Sequence, residues 1–126
     1  MSAREAVARW DAQTGILVIH IPAAADVDAV AEVLRRTHRE RGPGALRRRL
    51  WDGRKVRAPR DLAPVQATAE LVAELLGEGA DIGRAAILAG DDAFHGSALG
   101  YASRLPEGYP LRVFRSYHEA VDWLLS

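Results

Sequence analysis

The chain has 126 residues, enough for one compact domain and too few for two. It has no cysteine, which excludes thiolate catalysis, cysteine-based zinc sites and a disulfide-stapled scaffold. Seventeen basic residues balance seventeen acidic ones, so a dedicated nucleic-acid binder, basic over its whole surface, is excluded too.

The opening residues, Met1 to Val7, lack the continuous apolar run of a secretory signal. The longest apolar stretch, Ile16 to Ala25, contains His20 and Pro22, so no membrane span is expected and a cytoplasmic protein is. Ala6 to Trp10 is predicted as a short strand. Gly15-Ile-Leu-Val-Ile-His-Ile21, rich in β-branched residues and ended by Pro22, is predicted as a second strand. Only Asp11 to Thr14 separate the two, which suits a hairpin. Asp26 stands ready to cap a helix in which Val27, Val30, Ala31, Leu34 and His38 share one face, and which ends before Gly42.

Arg48-Arg-Leu-Trp-Asp52 is the third strand candidate. Asp61 can cap the next helix, with Pro64 in its first turn, where the missing N–H had no intrahelical partner. Val65, Ala69, Val72 and Leu76 line its inner face until Gly77 stops it. Arg84-Ala-Ala-Ile-Leu-Ala89 reads as a strand covered on both faces, and Asp91 or Asp92 opens a third helix through Ser103. Leu111-Arg-Val-Phe114 makes the last strand, and Ser116-Tyr-His-Glu119 has the spacing of a capping box before a C-terminal helix. This order predicts an α/β fold: a five-stranded mixed sheet, mostly parallel, with an N-terminal hairpin and four helices in one domain spanning residues 1–126.

The hairpin, Leu50-Trp-Asp52 at the end of the third strand, Arg84-Ala-Ala-Ile-Leu88 in the fourth and the closing Val113-Phe-Arg-Ser-Tyr-His-Glu-Ala-Val-Asp-Trp-Leu124 carry a resemblance. The chain resembles small bacterial members of the STAS-like group, the fold of anti-sigma-factor antagonists, and within it the SpoIIAA-like branch. That branch is also compared with CRAL-TRIO lipid-transfer domains. The resemblance implies a STAS domain acting as a non-enzymatic binding or regulatory module. The antagonists carry a phosphorylatable serine or threonine at the start of the helix after the third strand. Here no serine, threonine or tyrosine lies between Thr37 and Thr68, so that switch does not carry over.

In open parallel sheets, ligands sit beyond the carboxyl ends of the strands. Between Arg35 and Arg60 there are eleven basic residues and two acidic ones, Glu40 and Asp52. Arg54, Lys55, Arg57 and Arg60 precede a helix N-terminus, where unpaired N–H groups also favour an anion. With Asp52, Asp92 and His95 they form a candidate rim for a protein partner or a small anionic ligand; the plainer reading of such a run is a solvated face. Asp52, Asp91 and Asp92 resemble the magnesium pocket of phosphoryl-transfer receivers, but Arg115 stands where those need lysine, and aspartates before a helix serve as caps. Ser97 or Ser116 with His95 or His118 supplies the parts of a hydrolase without a Gly-x-Ser-x-Gly elbow, and Asp92-x-x-His95 offers two metal ligands without a third.

No catalytic residue, cofactor or metal is assigned on these grounds. Trp10, Trp51, Trp123, Phe94, Phe114 and Tyr101 either fill the core or line an apolar pocket. The alternative functions are therefore a carrier of a small apolar or lipid ligand and an uncharacterised hydrolase. The first strand has one predicted neighbour, and its open edge makes a homodimer an expected association.

Overall fold

The computed structural model describes residues 7–21 and 26–126. The strands are β1 (Ala8–Asp11), β2 (Ile16–His20), β3 (Arg48–Gly53), β4 (Arg84–Ala89) and β5 (Leu111–Phe114). The helices are α1 (Val27–Arg41), α2 (Ala63–Leu76), α3 (Asp92–Ser103) and α4 (Tyr117–Leu125), with a short 3-10 turn at Pro43–Leu46. The five strands lie in the order β1-β2-β3-β4-β5, β1 antiparallel to β2 and the rest parallel. The predicted α/β class and mixed sheet are thus present, with four α-helices among the described residues. None of those helices is long and apolar enough to cross a membrane.

Topology decides where the helices go. Each crossover from β2 to β5 steps in the same direction across the sheet, and the right-handed rule then places every crossover helix on the same face. Accordingly Leu17, Ile19, Trp51, Ala85 and Ile87 pack with Val30, Val33 and Leu34 of α1, Val65 and Val72 of α2, and Phe94 and Ala98 of α3. The opposite face belongs to α4, whose Ala120 and Leu124 cluster with Ile16, Val18, Leu50, Ala86 and Leu88. Because strand side chains alternate, consecutive residues of β2, β3 and β4 feed the two cores in turn, which is why these strands are apolar on both sides.

Several expected details shift. β1 begins at Ala8 rather than Ala6, and Ala6 and Pro22 lie outside the described residues. Asp26 does cap α1, accepting from the Ala29 N–H at 3.1 Å, but the inner stripe is Val30, Val33, Leu34 and Thr37. Val27 is 40% exposed, and His38 is only half-buried. Thr37 goes inside because its hydroxyl donates to the Val33 carbonyl at 2.8 Å, which leaves its methyl free to pack. On α2 the cap position is Leu62; Asp61 stands one residue earlier and accepts from Ala63 N–H at 3.0 Å. Asp91 caps α3 through the Phe94 N–H at 2.8 Å, and Ser116 caps α4 through the Glu119 N–H at 3.3 Å.

β5 is an edge strand, and its Arg112 is exposed, its guanidinium over Phe114 and Trp123 at 6.0 and 5.7 Å. Among the tryptophans only Trp51 is a core filler, at 1% exposed. Trp10 and Trp123 are half-buried and stack under Arg41 and Arg84.

Candidate functional site

The carboxyl ends of β2, β3 and β4 bring His20, Asp52 and Gly90 to one end of the sheet, with His20 and Asp52 opposite each other in register. Asp52 follows Leu50 by two residues and so projects on the α4 side. The turn after β3 folds Arg54 back onto it. The Arg54 backbone N–H donates to Asp52 Oδ1 at 3.2 Å, Nε donates to Oδ1 at 2.9 Å and Nη2 to Oδ2 at 2.8 Å. This is the bidentate geometry that makes arginine–carboxylate pairs strong. The same guanidinium sits 5.1 Å over the Tyr117 ring, so α4 covers the pair from behind.

The hydrogen bonds from Arg54 hold the Asp52 carboxyl below the ordinary carboxylate range, against the opposing effect of partial burial. His20 Nδ1 lies 3.9 Å from Asp52 Oδ2. Burial pushes the His20 imidazole below its usual value, with Arg9, Lys55 and Arg54 adding to the shift and Asp52 opposing it. His20 is therefore neutral near pH 7, as its ordinary value of 6.5 already lies lower.

The sign of the pH dependence follows. A carboxyl with a depressed native pKa stabilises the fold fully above its unfolded value of 3.8 and loses that contribution as pH falls through the native value. Asp52→Asn is expected to lower stability by about 1 kcal/mol near neutral pH, a figure discounted because the Arg54 side chain is half exposed. Urea unfolding of both proteins at neutral pH and at a series of pH values descending well below 3.8 checks this: the gap narrows from 3.8 downward and closes below the native value of Asp52.

The segment after Arg54 is pinned from below. Val56 and Leu62 are buried, the Arg57 guanidinium donates to the Arg54 carbonyl at 2.8 Å, and the Arg60 backbone N–H donates to Ser97 Oγ of α3 at 3.1 Å. Gly53 and Gly90 allow the close approach. A Cβ on Gly53 would run into the Phe94 ring, and one on Gly90 into the Arg54 backbone. With its apolar anchors inside, the segment turns Lys55, Arg57 and Arg60 outward, and all three are exposed. No carboxylate of the described residues lies within ion-pair distance of any of them.

The structure thus divides the predicted site. Asp52 and Arg54 come together but neutralise each other. Asp92 is 96% exposed and pairs with Arg115 at 3.0 Å, while a second Arg115 nitrogen reaches the Gly90 carbonyl at 3.4 Å. His95 is half-buried in the first turn of α3. Lys55, Arg57 and Arg60 remain as cations without an ion-pair partner among the described residues. The three aspartates once compared with a magnesium pocket are occupied by Arg54, by the α3 cap and by Arg115.

The wider arginine run does not gather round one mouth. Arg47 and Arg48 stand at the amino end of β3, and a strand of six residues, about 20 Å long, separates them from the Arg54 segment. Arg47, Arg48 and Arg84 line an open groove of about 390 Å³ at that other end. Arg49 points into neither end and is buried, 2% exposed.

Sequence reasoning gives no site role to Tyr117 or Arg49, reads His20 as a packed or surface histidine, and weighs Arg115 only against the lysine of phosphoryl-transfer receivers. Register pairing of β2 with β3 would have found His20, whereas Arg49 follows Trp51 inward by period-two alternation only once Trp51 is known to pack under the three helices. Compared with protein families, with curated proteins and with solved structures, the chain matches none.

Proposed function

We propose that this chain is a non-enzymatic binding module of the STAS-like, SpoIIAA-like kind that docks an acidic protein surface or a small anion on the rim formed by Lys55, Arg57 and Arg60. One observation carries the reading: these three cations are exposed and unpaired on a segment anchored by Val56 and Leu62, while Arg54 and Arg115 nearby already hold carboxylates. Unpaired charge on a fixed scaffold attracts a complementary surface without ordering long side chains first. The hairpin followed by parallel strand–helix steps supports the STAS-like assignment. The cavity between the sheet, α2 and α3 measures about 10 Å³, room for a single water, which favours the rim over a lipid carried at that place.

Reversing the three charges together, Lys55→Glu, Arg57→Glu and Arg60→Glu, is the test, with polyglutamate standing for an acidic protein and inorganic phosphate for a small anion. Wild type is expected to bind one of them with an affinity that falls as salt rises, and the triple variant to lose at least about tenfold, a change of roughly 1.4 kcal/mol. Thermal stability should fall only modestly, by about 1 kcal/mol for the Arg57 hydrogen bond to the Arg54 carbonyl and no more than about 0.5 kcal/mol for each of the other two surface changes. Equal binding by the two proteins discards the rim. Competition of phosphate against polyglutamate separates the two kinds of ligand.

A further inference from the structure

Arg48 of β3 and Arg84 of β4 are partners in register, and both point to the α4 side, each standing two residues before a member of that core, Leu50 or Ala86. Like charges side by side on neighbouring strands repel, and no carboxylate of the described residues lies within ion-pair distance of either. With Arg47 they line the groove of about 390 Å³ at the amino end of β3 and β4, a volume within the range of about 300–1,000 Å³ usual for small-molecule pockets. Asp81 is the one acidic side chain among the described residues of the lining, and its Oδ1 accepts the Gly83 N–H at 2.8 Å. Arginine therefore sets the sign of the groove.

The guanidinium groups are held on different sides of it. Arg47 Nε donates to the Asp81 carbonyl at 3.1 Å. Arg84 Nη1 donates to the Trp123 carbonyl and to Ser126 Oγ, both at 2.6 Å, and its guanidinium stacks 5.1 Å over the Trp123 ring. That ring packs in turn on Phe114 of β5, so Arg84 leans toward β5. Arg48 leans the other way, its Nη1 3.6 Å from where a Cβ on Gly15 would stand, at the turn into β2. The partners of Arg47 and Arg84 are neutral, so they orient the charges without cancelling them. Thr14 Oγ1 is the sole buried side-chain polar atom of the described residues without a partner, so the Arg84 nitrogens that make no hydrogen bond are open to solvent. A compact anion meets one of the diverging guanidiniums at a time. A chain with a carboxylate at each end meets two.

We infer that this groove binds a short-chain dicarboxylate, one carboxylate on Arg48 and the other on Arg84, with the charge of Arg47 adding to the attraction. Arginine suits this ligand because its planar fork takes a carboxylate through two parallel hydrogen bonds. The site lies at the opposite end of the sheet from Lys55, Arg57 and Arg60, and it stands or falls without them.

Succinate is the probe, with acetate and inorganic phosphate beside it, each titrated into the isotope-labelled whole chain near neutral pH at constant ionic strength. The backbone N–H signals of Gly83 and Ser126 report on the groove. Both are expected to shift saturably with succinate, at a half-saturation concentration at least about tenfold below that for acetate, because the second carboxylate binds as part of a molecule already held. Arg48 is exposed and its guanidinium has no hydrogen-bond or ion-pair partner among the described residues, so Arg48→Gln should keep the fold and raise the succinate half-saturation by about fivefold, the upper worth of an exposed ion pair. The Lys55→Glu, Arg57→Glu, Arg60→Glu variant should bind succinate at these signals as wild type does. Loss of the shifts in that variant places the anion at the rim and overturns the inference. So do the lack of a saturable shift, an equal response in Arg48→Gln and wild type, and acetate or phosphate binding as tightly as succinate.

Discussion

Phe94→Ala is expected to lower stability by about 4 kcal/mol, in the middle of the range for removing an aromatic ring from a packed core. The ring is fully buried on the first turn of α3, in the larger core, against Gly53 at the end of β3. It joins α3 to the strand that carries Asp52, so it supports the rim as well as the core. The contact with Gly53 is steric, and a double-mutant cycle tests this. Gly53→Ala alone should cost about 2 kcal/mol, since its Cβ would overlap the ring and also stand 3.0 Å from the Leu88 carbonyl. In a Phe94→Leu background the same change should cost less, because the smaller side chain yields space, giving a coupling of about 1 kcal/mol. Urea unfolding of the four proteins measures it, and additive losses would show that the ring does not set the glycine requirement.

Elements were legible where local chemistry and packing agree. β4 was read to the residue because an apolar run stands between Gly83 and Gly90, and α4 because Ser116 does cap it. The α1 stripe was read one step round the helix, since a buried threonine looks polar until its hydroxyl is paired with the carbonyl four residues back. Arg49 shows the same limit more strongly. Leu50 and Trp51 are both apolar, so either alternation of β3 is possible from composition; packing of Trp51 against three helices selects the one that carries Arg49 inward.

The site was half legible for a related reason. Counting charge along the chain adds residues that a strand holds apart, so an excess between Arg35 and Arg60 became one patch on paper and two in space. Pairing is also invisible in a count. Arg54 belonged to the expected rim by position, yet its bonds to Asp52 remove it as a free cation, and Arg115 does the same for Asp92. What survived at the carboxyl end of the sheet are Lys55, Arg57 and Arg60, which have no ion-pair partner among the described residues; Arg47 and Arg48 have none there either but stand at the opposite end.

Gly90→Ala is expected to lower stability by about 3 kcal/mol and to weaken anion binding at the rim with it, although Gly90 carries no charge. An alanine Cβ at this position would overlap the Arg54 carbonyl and its neighbouring backbone atoms, and backbone on a turn pinned by Val56 cannot swing aside as a side-chain tip does. Overpacking of this kind costs about 1–3 kcal/mol in well-packed sites. The overlap pushes the turn away from β4, and the turn carries both halves of the geometry: the Arg54 bonds to Asp52 and the outward display of Lys55 and Arg57. Gly96 is the control. It lies in the same region of the chain, in α3, where an added Cβ meets nothing within 4 Å, so Gly96→Ala should gain up to about 1 kcal/mol of helix propensity. Opposite signs for two glycine-to-alanine changes six residues apart would locate the effect in the Arg54 contact. Polyglutamate binding measured on both variants then shows whether the rim depends on that contact: loss with Gly90→Ala and none with Gly96→Ala ties recognition to the backbone seam between β3 and β4.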